Sequence, residues 1–152
     1  MNQNFVQPRF TGARFDSHTF PVDPLNSWKS LKISPLVMQF EELAQIEAGW
    51  YEGQGIAPDM NKLKTIAQKL MDFYPEHLLL PTIIPMQDGN LLLEWDAEGD
   101  PSTDIDLGSM RASFHAFGPS DEDIEGDFPL GTNEDFESFF TFLSEHIQSR
   151  PV

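Results

Sequence analysis

The sequence predicts an α+β fold, a four-stranded antiparallel meander sheet with helices packed on one face, plus an extended N-terminal arm. Three observations support this class. Apolar residues recur at helical spacing near 59–74 and 133–147, apolar and polar residues alternate around turn signals between 82 and 114, and residues 1–35 follow neither period. A chain of 152 residues is the usual size of one domain. We therefore predict an arm at 1–35 and a single α+β domain at 36–152.

The predicted arm combines four Pro with regularly spaced aromatic residues. Its phenylalanines recur every five residues, at Phe5, Phe10, Phe15 and Phe20. Four bases against two acids give the arm a charge of +2, whereas residues 36–152 carry five bases and 23 acids. We expect the arm to pack through its aromatic residues, either on the acidic domain or on a partner.

Three helices are predicted in the domain. The first runs from Leu36 to Ala48 and ends at Gly49. The second runs from Asp59, its N-cap, to Tyr74, with an apolar stripe at three-four spacing. The third begins after Thr132 or Asn133. Its stripe is the strongest helical signal of the chain and comprises Phe136, Phe139, Phe140, Leu143 and Ile147. We expect this helix to lie across the core face of the sheet.

Two dipeptides predict the strand register. A two-residue turn at Asp88-Gly89 pairs Met86 with Leu91 and Ile84 with Leu93, and Pro85 places this first strand at an edge. A turn at Gly108-Ser109 pairs Ile105 with Ala112 and Thr103 with Phe114. One face should then form the core, with Ile84, Met86, Leu91, Leu93, Trp95, Ile105, Leu107, Met110, Ala112 and Phe114.

The stretch EWDAEGDPSTDID holds six carboxylates and no base. A hairpin centred near Asp100 would place Glu94 opposite Asp106 and Asp96 opposite Asp104, and like charges directly opposite destabilise a sheet. Arg111, opposite Asp106, could relieve one pair, and His115 shares the face. We predict a partner-binding or weak cation site there, formed by Glu94, Asp96, Asp104, Asp106, Arg111 and His115. A merely solvated acidic face is the alternative.

Catalytic motifs are sparse. The chain has no Cys, its four His lack zinc-ligand spacing, and there is no nucleophile elbow, phosphate-binding loop or dinucleotide fingerprint. A calcium loop starting at Asp96 fails because Pro101 and Leu107 stand where Gly and Glu are required. We predict no catalytic residue, no cofactor and no dedicated metal site.

The segment GWYEGQGIAP, followed by a helix and then LPTIIPMQDGNLLLEW, resembles a family of small uncharacterised bacterial proteins. The residues that carry the resemblance are Gly49, Trp50, Gly55, Pro58, Pro81, Pro85, Asp88, Gly89, Glu94 and Trp95. Tyr51-Glu52 departs from the family pattern, which has an acid after the tryptophan. The resemblance implies a bacterial or phage origin and no known activity. Trp50 is expected to close the loop against the core, and a ligand cradle of Trp50, Glu94 and Trp95 is the alternative.

The net charge of −16 restricts the partners. It disfavours direct binding to nucleic acid or anionic lipid and favours a basic protein surface. The sequence shows no signal peptide and no membrane span, so a cytoplasmic protein is predicted, with its oligomeric state open. We predict a non-enzymatic interaction module, such as an antitoxin-like, immunity or adaptor protein. The alternatives are a DNA-mimicking inhibitor and a metal-dependent hydrolase on the acidic face.

Overall fold

The structure is a computed structural model that describes residues 27–148, with side chains described from Ser34 onward. It contains three helices and five strands. In chain order these are α1 (Ser27–Leu43), α2 (Met60–Phe73), β1 (Thr82–Pro85), β2 (Leu91–Glu94), β3 (Ser102–Asp106), β4 (Arg111–Phe117), β5 (Asp123–Pro129) and α3 (Asn133–His146). The predicted α+β class is confirmed. Residues 1–26 of the predicted arm, which include its four phenylalanines, lie outside the described residues.

The sheet is an antiparallel meander of five strands in the order β1-β2-β3-β4-β5, so the prediction of four strands was wrong. The missed strand, β5, pairs with β4 along its whole length, from Arg111 opposite Pro129 to Phe117 opposite Asp123. Asp, Gly and Pro are depleted in strands, so the sequence of β5 gives a weak local signal. Its conformation depends on pairing with β4 and on Phe128, whose ring lies 5.5 Å from Phe139 of α3.

The helices agree with the sequence analysis except at α1. That helix begins at Ser27, inside the stretch predicted as the arm, and ends at Leu43 rather than Ala48. Pro35 lies within it, and an internal proline, which lacks a backbone N–H, is a poor sequence signal for a helix. The N-caps are confirmed. Asp59 accepts a hydrogen bond from the Lys62 N–H at 3.0 Å, and Thr132 forms a reciprocal capping box with Asp135.

The core lies between the helices and one face of the sheet, here called the inner face. All five residues of the predicted α3 stripe are buried, and so are seven of the ten residues predicted for the core face. Those seven are Leu91, Leu93, Trp95, Ile105, Leu107, Ala112 and Phe114. The ring of Phe114 lies 5.1 Å from that of Phe142, so α3 does pack on this face, as predicted.

The register of the first hairpin differs from the prediction by one residue. Met86 donates its N–H to the Asn90 carbonyl at 2.9 Å, so the loop has three residues rather than two, with Gly89 at φ +88°. Ile83, not Ile84, is therefore paired with Leu93. A one-residue shift moves every side chain of a strand to the opposite face. Ile83 is accordingly 6% exposed, whereas Ile84 and Met86 are only half-buried.

Strand β1 lies at an edge of the sheet, as Pro85 predicted. Its outer edge is covered by the side chain of Gln39 from α1. The Gln39 amide nitrogen donates to the Pro81 carbonyl at 3.1 Å, and the Ile83 N–H donates to the Gln39 Oε1 at 2.7 Å. This amide replaces the hydrogen bonds that a neighbouring strand would make.

Candidate binding face

The face of the sheet turned away from the core, here called the outer face, carries the predicted site residues Glu94, Asp104, Asp106, Arg111 and His115. In β2, β3 and β4 they alternate with the buried residues of the inner face. Asp96 follows the end of β2 and is exposed. The structure therefore brings five of the six predicted residues to one face.

The predicted like-charge pairs do not form. Glu94 is paired with Ser102, and Asp104 is paired with Leu92. The hairpin closes earlier than expected because the Asp100 N–H donates to the Ala97 carbonyl at 3.2 Å, which forms the turn before Pro101. The partner of Glu94 is Ser102 instead of Asp106, a shift of four residues. Because side chains alternate between faces, a shift by an even number leaves each side chain on its predicted face.

Acidic side chains alternate with neutral or basic ones across the outer face. One row of paired residues is Thr82, Glu94, Ser102, His115 and Glu125, and the next is Ile84, Leu92, Asp104, Ser113 and Asp127. Within the paired residues of the described strands, no acid stands directly opposite another acid. The predicted opposition of Glu94 with Asp106 and of Asp96 with Asp104 was therefore wrong.

Arg111 stands opposite Asp106, as predicted. It also forms an ion pair with Asp127, which was not predicted for this face. Its Nη2 lies 3.3 Å from the Asp127 Oδ2 on β5. The Asp127 Oδ1 is also 3.5 Å from the Ser113 hydroxyl, at the limit of a hydrogen bond. An exposed ion pair of this kind contributes about 0–1 kcal/mol to the free energy of unfolding. Arg111 therefore partly compensates the β5 side of the outer face.

His115 stands next to two further missed acids. Its Nε2 lies 3.1 Å from the Asp123 Oδ1, and Glu125 is its direct partner across the β4–β5 ladder. One ligand atom from each of these three side chains lies within 4.8 Å of the others. Asp123 and Glu125 were missed because the predicted four-stranded sheet did not include β5. The period-two spacing of Asp123, Glu125 and Asp127 was the signal that could have revealed them.

Trp95, part of the proposed ligand cradle, is buried with 3% exposure. Its indole N–H lies 3.0 Å from the Tyr74 hydroxyl and 3.1 Å from the Leu79 carbonyl. The Tyr74 hydroxyl also donates to the Leu79 carbonyl. Burial raises the pKa of Tyr74 well above its ordinary range, although the Trp95 hydrogen bond acts in the opposite direction. The phenol therefore stays neutral and holds Trp95 in the core.

Trp50, the other predicted cradle residue, closes the glycine-rich loop after α1. Its indole N–H donates to the Ile56 carbonyl at 3.2 Å, and its half-buried ring packs against the core. Gly55, at φ +98°, lies under the ring, where an added Cβ would come within 2.8 Å of the indole nitrogen. These contacts give both tryptophans structural roles. A ligand cradle stays a prediction.

The described part of the chain contains no helix that is both long enough and apolar enough to cross a membrane. Comparisons with protein-family models, with curated proteins and with solved structures find no match to this chain. The resemblance to small bacterial proteins therefore stays a prediction.

Proposed function

We propose that this protein is a non-enzymatic interaction module whose outer face binds a basic surface of another protein. The observation that carries the proposal is the composition of that face. Its strands present six acids against one arginine and one histidine. The acids are Glu94, Asp104, Asp106, Asp123, Glu125 and Asp127. A face of this charge attracts a cationic partner over roughly one Debye length, about 8 Å at physiological ionic strength.

Apolar groups beside the acids favour a protein partner over simple solvation. Ile84 and Leu92 are paired with each other and only half-buried, and Leu92 is the direct neighbour of Asp104. At the far end of β4, the ring of Phe117 is 45% exposed. Protein interfaces combine an apolar centre with a polar rim, and aromatic residues are enriched in them. The outer face offers both kinds of contact group, with the apolar ones at its margins on β1, β2 and the end of β4.

The alternatives have less support. A DNA mimic needs a continuous acidic stripe, whereas Ser102, Ser113 and Arg111 interrupt the acids on this face. A hydrolase built on the predicted four acids needs carboxylates that meet, but Glu94 and Asp106 are not paired. A basic protein partner is consistent with both observations, because it needs only net negative charge and exposed contact area.

The test compares two variants that lose the same charge. One carries Glu94→Gln and Asp104→Asn on the outer face, and the control carries Glu76→Gln and Glu137→Gln at exposed positions elsewhere. Each full-length protein is immobilised and exposed to extract of the native host, and the retained proteins are identified by mass spectrometry. We expect a basic protein that is retained by the parent and by the control but lost from the outer-face variant.

Kinetics on the isolated partner then sharpen the result. The outer-face variant should bind mainly with a slower association rate and a weaker salt dependence, as expected for electrostatic steering. Competition by duplex DNA for the partner would favour the DNA-mimic alternative. Equal retention by both variants would overturn the proposal, because the binding would then not depend on where the acids lie.

A further inference from the structure

We propose that His115, Asp123 and Glu125 form a binding site for a single zinc ion at the β4–β5 end of the outer face. The site shares Asp123 and Glu125 with the face proposed above to bind a partner, but the proposal does not require that function. It rests on three ligand-bearing side chains that two paired strands hold together, and on the mixed nitrogen and oxygen chemistry that they offer.

The ladder fixes the positions of the three side chains. His115 is paired directly with Glu125, and Asp123 lies two residues before Glu125, so all three project from the same face. Ligand atoms of a tetrahedral zinc ion, with bonds of about 2.0–2.2 Å, lie about 3.3 Å from one another. The Nε2 of His115 is already 3.1 Å from the Asp123 Oδ1, and the three ligand atoms all lie within 4.8 Å of one another. Small side-chain rotations of the exposed Glu125 would complete the geometry.

The ligand set selects among divalent ions. An imidazole with two carboxylates matches zinc, which binds histidine nitrogen and carboxylate oxygen, whereas magnesium and calcium prefer ligand sets made only of oxygen. Three protein ligands leave the fourth position of the tetrahedron to water. The chemistry therefore points to a zinc-type ion bound in an open site.

The surroundings of the cluster also favour a cation. Asp127 is the next residue of β5 on this face, and its Oδ2 lies 3.3 Å from the Arg111 Nη2. Asp123 and Glu125, in contrast, have only the His115 imidazole beside them in the cluster. The ring of Phe117 lies edge-on to that imidazole at 4.9 Å and forms an apolar wall on one side. The neighbour of His115 on β3 is Ser102, which is uncharged. A bound divalent ion would offset the excess negative charge of the cluster.

The experiment is calorimetric titration of the full-length protein with zinc chloride, repeated with magnesium and with calcium chloride. We expect one zinc ion per chain, and we expect His115→Ala, Asp123→Asn and Glu125→Gln each to weaken zinc binding at least tenfold. The imidazole resonances of His115 should shift on zinc addition in the NMR spectrum. His77→Ala removes an exposed histidine outside the cluster and should leave zinc affinity unchanged.

Other outcomes would overturn the proposal. Binding of magnesium or calcium as tight as that of zinc, insensitive to His115→Ala and abolished by salt, would show diffuse attraction to the acidic face. Zinc binding that survives all three substitutions would place the ion elsewhere. An absence of zinc binding up to millimolar concentration would remove the site altogether.

Discussion

The two faces of the sheet are built from the same strands but are determined by different forces. On β4, Ala112, Phe114 and Ala116 are at most 2% exposed and face the helices. Alternating with them along β4, Arg111 and Ser113 are exposed to solvent. Burial of apolar area determines the first set, whereas the second set is free to vary as far as the fold is concerned. Substitutions on the inner face should therefore change stability, and those on the outer face should change interactions.

The largest expected effect tests the inner face. Phe139, 1% exposed, contacts the rings of Phe128 and Phe140. Phe139→Ala should lower the free energy of unfolding by about 3–5 kcal/mol, because it leaves a cavity where α3 meets the sheet. Denaturant unfolding followed by circular dichroism measures the change.

Phe117→Ala is the matched control on the outer face. Because the ring of Phe117 is 45% exposed, its loss should cost much less stability than the loss of Phe139. Equal unfolding midpoints for the two variants would contradict the assignment of the two faces.

A smaller effect is expected at the helix that closes the inner face. The Asp135 N–H donates to the Thr132 hydroxyl at 3.1 Å, which caps α3. Thr132→Ala should cost about 1 kcal/mol of unfolding free energy, whereas Thr132→Ser should retain most of the stability. A loss of the same size in both variants would mean that the hydroxyl is not the stabilising group.

The other half of the capping box predicts a pH dependence. The Asp135 carboxylate accepts hydrogen bonds from the N–H groups of Gly131 and Thr132, both at 2.9 Å, and these bonds hold its pKa below the ordinary value of 3.8. The stabilisation by the Asp135 carboxylate is therefore complete at a pH above its pKa in the unfolded state. It is lost as the pH falls through its lower pKa in the folded state. Asp135→Asn should lower stability at neutral pH and flatten the acid limb of a melting-temperature profile. An unchanged profile would contradict this.

The smallest stability effect is expected on the outer face. Asp104 is flanked by Leu92 and Ser113 rather than by another acid, so Asp104→Asn removes no opposed carboxylate pair. The free energy of unfolding should change by less than about 0.5 kcal/mol in either direction. A larger gain that shrinks in high salt would revive the hypothesis of stored repulsion.

The sequence predicts these two faces unequally. The stripes of α2 and α3 and the second turn were predicted correctly, because short-range periodicity and turn chemistry determine them. The first hairpin was displaced by one residue because Ile83 and Ile84 fit the core equally well by composition. Two contacts place Ile83 rather than Ile84 in the core. The Asn90 N–H donates to the Asp88 Oδ1 at 3.0 Å in the loop, and the Ile83 N–H donates to the Gln39 Oε1. Both are details of geometry that periodicity does not encode.

The candidate site was predicted only in part for a related reason. Glu94, Asp104, Asp106, Arg111 and His115 were placed on one face because strand alternation alone decides the face. The pairing across strands depends on where a hairpin closes and on whether a strand exists at all. For β5 that information comes mainly from contacts with β4 and α3, and the period-two spacing of Asp123, Glu125 and Asp127 was the only local signal for its acids.

The Gln39 amide that covers β1 also limits how copies of this chain could assemble. Growth of a cross-strand polymer requires two unsatisfied sheet edges on each molecule, one to receive a strand and one to offer it. Here Gln39 occupies the Pro81 carbonyl and the Ile83 N–H, and Pro85 has no N–H to offer. Within the described strands, edge pairing between copies is thereby disfavoured at β1 and left mainly to β5. A contact of β5 with β5 closes on itself after two molecules, so it cannot by itself extend into a fibre.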